Sequence, residues 1–257
     1  MELKNDRSFI PKIFTILNGD PSLIIENFSN SACNGYVTKN YMIDFWKNRD
    51  YEIKSLDFYD VKKSCHYNPF LYIKDKNDIM SISKIWIEYT GGDRTTGERG
   101  EDYFPELFLL ASMIAYVWEN NSTENKNLEE VTKVLNDICE NGFDKLRNIN
   151  SDSVTFDFYT KFRKTCPDTA EKAVMISLSV RLCIVLEFDN NILTDDTIDL
   201  YNLGNRKTII FVERKPQMDC FDCLYELFLF QAMQICGKRN SKTQIVSIKK
   251  NKIDRIF

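Results

Sequence analysis

The feature that most limits what this chain can fold into is a change of hydrophobic period. From Asp75 to Asp189 apolar residues recur at spacings of three and four, the signature of one face of an α-helix. The segments "KNDIMSISKIWIEYT", "YFPELFLLASMIAYVWEN", "NLEEVTKVLNDICENGF", "DSVTFDFYTKFRKT" and "CPDTAEKAVMISLSVRLCIVLEF" read as successive helices. Pro105 is tolerated in the first turn of the second, and a glycine follows the third. Four to six helices in a row, with no strand between them, predict a helical domain. Its core is expected from Trp86, Leu109, Met113, Trp118, Val134, Ile138, Met175 and Ile184.

Both flanks read differently. "SLIIEN" is a short apolar run between turn signals, "NYMIDFWKN" has helical spacing, and "YEIKSLDFY" alternates like a strand. Strand, helix, strand is a βαβ unit and implies a parallel sheet. After the helices, "NRKTIIFVE" is a β-branched core strand and "CFDCLYELFLFQAMQIC" an apolar helix to pack on it. The expected fold class is therefore α/β, a partial parallel sheet with an inserted all-α domain. The expected division is residues 1–74, 75–189 and 190–257.

Composition narrows the function. Hydrophobic residues make up 43% of the 257 and aromatics 13%, enough for a sizeable core and too much for a disordered chain. The formal charge of −4 removes a globally basic nucleic-acid footprint. "SIKKNKIDRIF" is expected to be a solvated tail. No secretory signal and no membrane-length apolar run is visible. The eight cysteines follow no framework and are expected as reduced thiols in a cytoplasm.

Catalytic chemistry is hard to place. G-x-x-x-x-G-K-[ST] is absent, and the glycines of "GGDRTTGERG" (Gly91, Gly92, Gly97, Gly100) lie in a loop between helices. Arg94 and Arg99 in that loop are candidate contacts for a protein partner's carboxylates. Cys65 and His66 are neighbours in an extended segment and point apart, so they make a poor dyad. Asp195-Asp196 reads as a loop and helix cap. Cys220 and Cys223 lack the second ligand pair that zinc needs. No catalytic residue, metal or cofactor is predicted.

"YEIKSLDFYDVKKSCHYNPFLYIKDKNDI" resembles the segment of TraG/TraD-type coupling proteins of conjugative type IV secretion that leads from a core strand into their all-α domain. There Tyr-Asn-Pro-Phe opens the insertion. Asn68, Pro69 and Phe70 are thus candidate junction residues, the proline ending the strand and Phe70 anchoring the junction. "GEDYFPELFLLASMIAYVWEN", "TAEKAVMISLSVRL" with Arg181, and "LYNLGNRKTIIFVE" are similar to later family segments, in family order, from Tyr51 to Gly237. Upstream, "RSFIPKIFTILNGDPSLIIEN" is similar to the helix and strand that follow the family's P-loop. On that register Gly-Lys-Ser would fall at Lys4, Asn5 and Asp6, where it is missing. The acidic Walker B strand is missing too.

The resemblance implies a P-loop NTPase-like remnant without ATP hydrolysis and a cytoplasmic location, with peripheral contact at the inner face of the membrane. It implies a recognition role towards protein partners such as a relaxase or secretion-channel components, with direct DNA binding left open. A truncated reading frame without function, an ATPase subunit that borrows its nucleotide site, and an unrelated helical interaction module remain as alternatives.

Overall fold

The computed structural model describes residues 12–17, 24–25, 36–37, 48, 52–58, 61–90, 103–187, 192–202, 208–214, 221–237, 244–249 and 252–255. The chain divides into two compact units. One holds Met1–Cys65, Thr197–Met218 and Leu229–Phe257; the other holds His66–Asp196 and Asp219–Phe228.

The first unit is built on a five-stranded sheet. Its strands are β1 (Lys12–Leu17), β4 (Glu52–Asp57), β5 (Thr208–Arg214), β6 (Gln244–Lys249) and β7 (Lys252–Arg255), in the order β4-β5-β1-β6-β7. β4, β5, β1 and β6 run parallel, and β7 returns antiparallel to β6. Strands paired on both edges in a parallel sheet read as unbroken apolar runs. "TIIFVER" of β5 fits, with Ile210, Phe211 and Val212 buried. β4 is an edge strand, and the chain covers part of its outer side. Cys65 donates its backbone N–H to Ser55 O at 2.7 Å, and Asp57 N donates to Ser64 Oγ at 2.9 Å. An edge protected in this way is closed to stray pairing.

Three expectations for this unit fail. Residues 12–17, placed in a helix by the resemblance, form the central strand. "KIFTIL" is rich in β-branched and aromatic residues between Pro11 and Asn18-Gly19, and two parallel partners satisfy its backbone. "SLIIEN" is not a core strand beside β4. Its described residues, β2 (Ile24–Ile25), pair antiparallel with β3 (Tyr36–Val37) in a separate small sheet, so this strand is not β4's parallel neighbour in a βαβ unit. The C-terminal stretch is no solvated tail, since β6 and β7 extend the sheet. "NYMIDFWKN" lies outside the described residues apart from Asn48.

The second unit is helical. α1 (Lys76–Thr90), α2 (Tyr103–Asn120), α3 (Leu128–Asn141), α4 (Asp144–Arg147), α5 (Val154–Thr165) and α6 (Glu171–Leu182) follow in order; of α7 (Asp222–Gly237), which comes after β5, the part up to Phe228 belongs to this unit and the rest to the first. Local chemistry sets their ends. Asp75 Oδ1 accepts from Asn77 N and Asp78 N, while Asp78 Oδ2 accepts from Lys74 N, a reciprocal cap. Asn127 caps α3 through Glu130 N, and Ser153 caps α5 through Phe156 N. Gly142 ends α3 at φ 79°, its N–H returning to Ile138 O; glycine alone takes that backbone without strain. Glu119 of α2 reaches the start of α5 and accepts from Val154 N, Thr155 N and Thr155 Oγ1. Arg163 of α5 pairs with Glu171 and, at 2.7 Å, with Asp168, holding the turn into α6.

Trp86, Leu109, Met113, Val134, Ile138 and Ile184 are buried as expected. Trp118 and Met175 are only half-buried; α6 turns Val174, Leu178 and Leu182 inward instead. The segment 166–188 is not one long helix. A 3-10 turn at Asp168–Ala170 precedes α6, and another at Cys183–Glu187 follows it. Among the described residues, no helix is long and apolar enough to cross a membrane.

Candidate functional site

The Tyr67-Asn68-Pro69-Phe70 motif does not end a strand, because β4 has already stopped at Asp57. The motif opens the helical unit. Asn68 is extended, at φ −104° and ψ 107°, as a residue before proline must be. Pro69 then starts a single 3-10 turn, Pro69–Tyr72, and needs no N–H there.

The Asn68 side chain is almost fully committed. Its Oδ1 accepts from Phe70 N at 3.0 Å, and its Nδ2 donates to Thr194 O at 2.8 Å and Lys126 O at 2.9 Å. Its backbone N–H donates to Asp196 Oδ1 at 3.3 Å, and Tyr72 Oη donates to Asp196 Oδ2 at 2.5 Å. Tyr67 N donates to Ile192 O at 2.7 Å. The start of the helical unit, residues 66–72, is thus bonded to its end, residues 192–196. Phe70 is buried, and the Tyr67 ring is wholly buried with the edge of Phe228 against it. Burial pushes the Tyr67 phenol well above the usual tyrosine range, and Tyr72 and Asp196 push the same way. An amide and a carboxylate sharing so many donors and acceptors act as a structural clamp.

Asp195-Asp196 is not a helix cap. Asp196 receives Asn68 and Tyr72, and Asp195 Oδ2 lies 3.5 Å from His66 Nδ1, a contact that is ionic only when the imidazole is protonated. Sequence reading singled out Asp196 but missed its pairing with Tyr72, because the two stand 124 residues apart. Within the sheet unit, Lys54 Nζ donates to Thr197 O and Ile198 O, both at 2.8 Å.

Arg181 proves to be an internal brace. Its Nε lies 2.9 Å from Glu106 Oε2 on α2, off the N–H direction, so charge pairing dominates over an aligned hydrogen bond. Its Nη1 donates to Ile87 O at 3.0 Å and Thr90 Oγ1 at 3.2 Å, while Trp86 Nε1 donates to Arg181 O. One side chain therefore ties α6 to α1 and α2.

The outer side of α6 has the opposite character. Ile176, Val180 and Leu186 are 65%, 67% and 66% exposed. The other exposed residues from 173 to 186 are Ala173, Ser179 and Cys183, so no charge stands on that ridge. Leu186 sits one 3-10 turn beyond Cys183, on the same line. Apolar surface in such a run marks a contact site more often than scattered single residues do.

Arg94 and Arg99, with the glycines of their loop, lie outside the described residues, as does Cys220. Cys223 is buried on α7. Among the described residues no group of three His, Cys, Asp or Glu side chains is placed to hold a metal. No protein-family model matches the chain, and no curated protein matches its sequence.

Proposed function

We propose that the chain is a non-catalytic, coupling-protein-like component of conjugative DNA transfer or type IV secretion. It binds protein partners, such as a relaxase or channel component, through its helical unit. In this reading the parallel strands are a P-loop NTPase-like remnant without its phosphate loop, working in the cytoplasm at the inner face of the membrane. The family resemblance supports it from Tyr51 onward; the stretch upstream, where a strand replaces the implied helix, lends it nothing.

The observation that carries the binding role is the uncharged ridge of Ile176, Val180 and Leu186. A nucleic-acid surface needs Lys and Arg in excess, and none stands among the exposed residues from 173 to 186. A protein surface needs apolar area that a partner can cover. The non-catalytic part rests on the missing Gly-Lys-Ser and acidic strand.

The test is affinity capture on the full chain in a conjugation-competent host, with bound proteins identified by mass spectrometry. A relaxase or channel component is expected with the native chain and lost with Val180→Glu. Capture of neither, or magnesium-ATP hydrolysis by the purified chain, overturns the reading.

A further inference from the structure

We propose that Asn141 is a site of spontaneous covalent modification. When the last turn of α3 opens, its side-chain amide cyclises with the Gly142 nitrogen and deamidates.

The chain has three Asn-Gly pairs, Asn18-Gly19, Asn34-Gly35 and Asn141-Gly142, and the third lies among the described residues. Glycine matters for a steric reason. Ring closure brings the backbone nitrogen that follows asparagine onto the side-chain carbonyl carbon, and a Cβ on the following residue crowds that approach. Asn141 and Gly142 are both exposed. A Cβ built on Gly142 would meet no heavy atom beyond its chain neighbours within 4 Å, so water reaches the reacting atoms. The positive φ that ends α3 itself demands glycine. The reactive pair is therefore built into the cap.

Two hydrogen bonds stand against the reaction. Gly142 N, the nucleophile once deprotonated, donates to Ile138 O at 2.9 Å. Asn141 Nδ2, the leaving group, donates to Asp137 Oδ1 at 2.9 Å, and Asp137 is held in turn by Lys145 Nζ at 3.3 Å. Both bonds lie in the terminal turn, where a helix opens at the least cost. Reaction needs that turn to open and not the whole unit. Folding slows it without preventing it.

Water is the one co-reactant. Gly142 N gives up its proton and bonds to Asn141 Cγ. The Cγ–Nδ2 bond breaks, ammonia leaves, and a five-membered succinimide remains. Water then adds to one of the two ring carbonyls. Opening one C–N bond leaves an aspartate, and opening the other leaves an isoaspartate, whose main chain runs through Cγ.

Either product weakens the cap. A carboxylate at position 141 sets like charge against Asp137 four residues away, at the negative end of the helix dipole. The isoaspartate linkage also adds an atom to the main chain, so Gly142 N no longer returns to Ile138 O in its native register. With ammonia lost to solvent, the frayed end does not heal.

Peptide mass spectrometry on the full chain tests this, with samples incubated folded and in guanidinium chloride in the same mildly alkaline buffer. Conversion at Asn141 is expected in the folded chain, more slowly than in denaturant. Asp137→Ser removes the Nδ2 acceptor at similar helix propensity. It should quicken conversion at Asn141 about two- to five-fold, the worth of one exposed hydrogen bond, and leave the rates at Asn18 and Asn34 unchanged. Asp137→Asn keeps an acceptor oxygen without the charge and should stay near the native rate. The proposal is overturned by a folded chain unconverted at Asn141 while the denatured chain converts, or by equal folded and denatured rates. An Asp137→Ser variant no faster than native, or an Asp137→Asn variant as fast as Asp137→Ser, also overturns it.

Discussion

The junction at residues 66–72 and the outer side of α6 belong to the same helical unit and have opposite chemistry. At the junction, the Asn68 side chain is buried with three hydrogen bonds, and the half-buried Asp196 carboxylate accepts from Asn68 N and Tyr72 Oη. On the ridge, apolar atoms face water and no charge is present. The first arrangement costs free energy if disturbed, since a buried donor or acceptor without a partner is expensive. The second costs almost nothing to disturb within the chain itself. Holding the fold and presenting apolar surface to water therefore fall to different residues.

The sharpest attempt to break this contrast removes a buried charge partner on the inner side of the ridge helix. Arg181→Met strands the buried Glu106 carboxylate and should cost about 3–5 kcal/mol; adding Glu106→Leu should return most of it. Urea unfolding of both variants reads this, and a single variant with an unchanged midpoint would show the brace to be idle.

Next comes the clamp. Asn68→Ala leaves Phe70 N, Lys126 O and Thr194 O unmatched and should cost about 2–4 kcal/mol. Asn68→Asp should be no better, because it points a carboxylate at two carbonyls. If Asn68→Asp is as stable as the native chain, the Nδ2 bonds to Thr194 O and Lys126 O do not hold the junction.

A smaller effect comes from alkali. The folded-state phenol of Tyr67 titrates above its unfolded value of about 10. Above that value the unfolded chain loses the proton while the folded chain keeps it. The contribution is thus fully present below about pH 10 and is lost as pH rises through the folded value. Thermal melts between pH 9 and 11 should fall more steeply for the native chain than for Tyr67→Phe, and parallel curves would contradict this.

The smallest effect belongs to the ridge. Val180→Glu should change unfolding free energy by no more than about 0.5 kcal/mol. A large loss would mean that the ridge is structural after all and that the two regions are not distinct.

What was legible in the sequence was mostly local. Asp75, Asn127, Ser153 and Gly142 mark helix ends by chemistry that acts within four residues, and periodicity alone placed the helices they bound. Asn68 could be singled out because a proline follows it. Its partners could not: Thr194 and Asp196 are reached only after the chain has folded through six helices. The ridge was hidden for a related reason. Ile176 and Val180 look like core residues in a run as apolar as "AVMISLSVRLCIVLEF", and only the packing of Val174, Leu178 and Leu182 shows which side faces out. The strand at 12–17 was missed because a borrowed register outweighed the β-branched content of "KIFTIL". Arg94 and Arg99 stay where the sequence left them.

The clamp between Asn68 and residues 194–196 also bears on the order in which the chain folds. β4 pairs with β5 through partners as distant as Glu52 and Thr208, and joining strands across so long an intervening chain carries a closure entropy that slows folding. A helical unit that forms from local contacts and fastens its own two ends removes most of that search before the strands meet. The helices then act as a scaffold for sheet assembly, and weakening the fastening should slow refolding of the native chain more than it speeds unfolding.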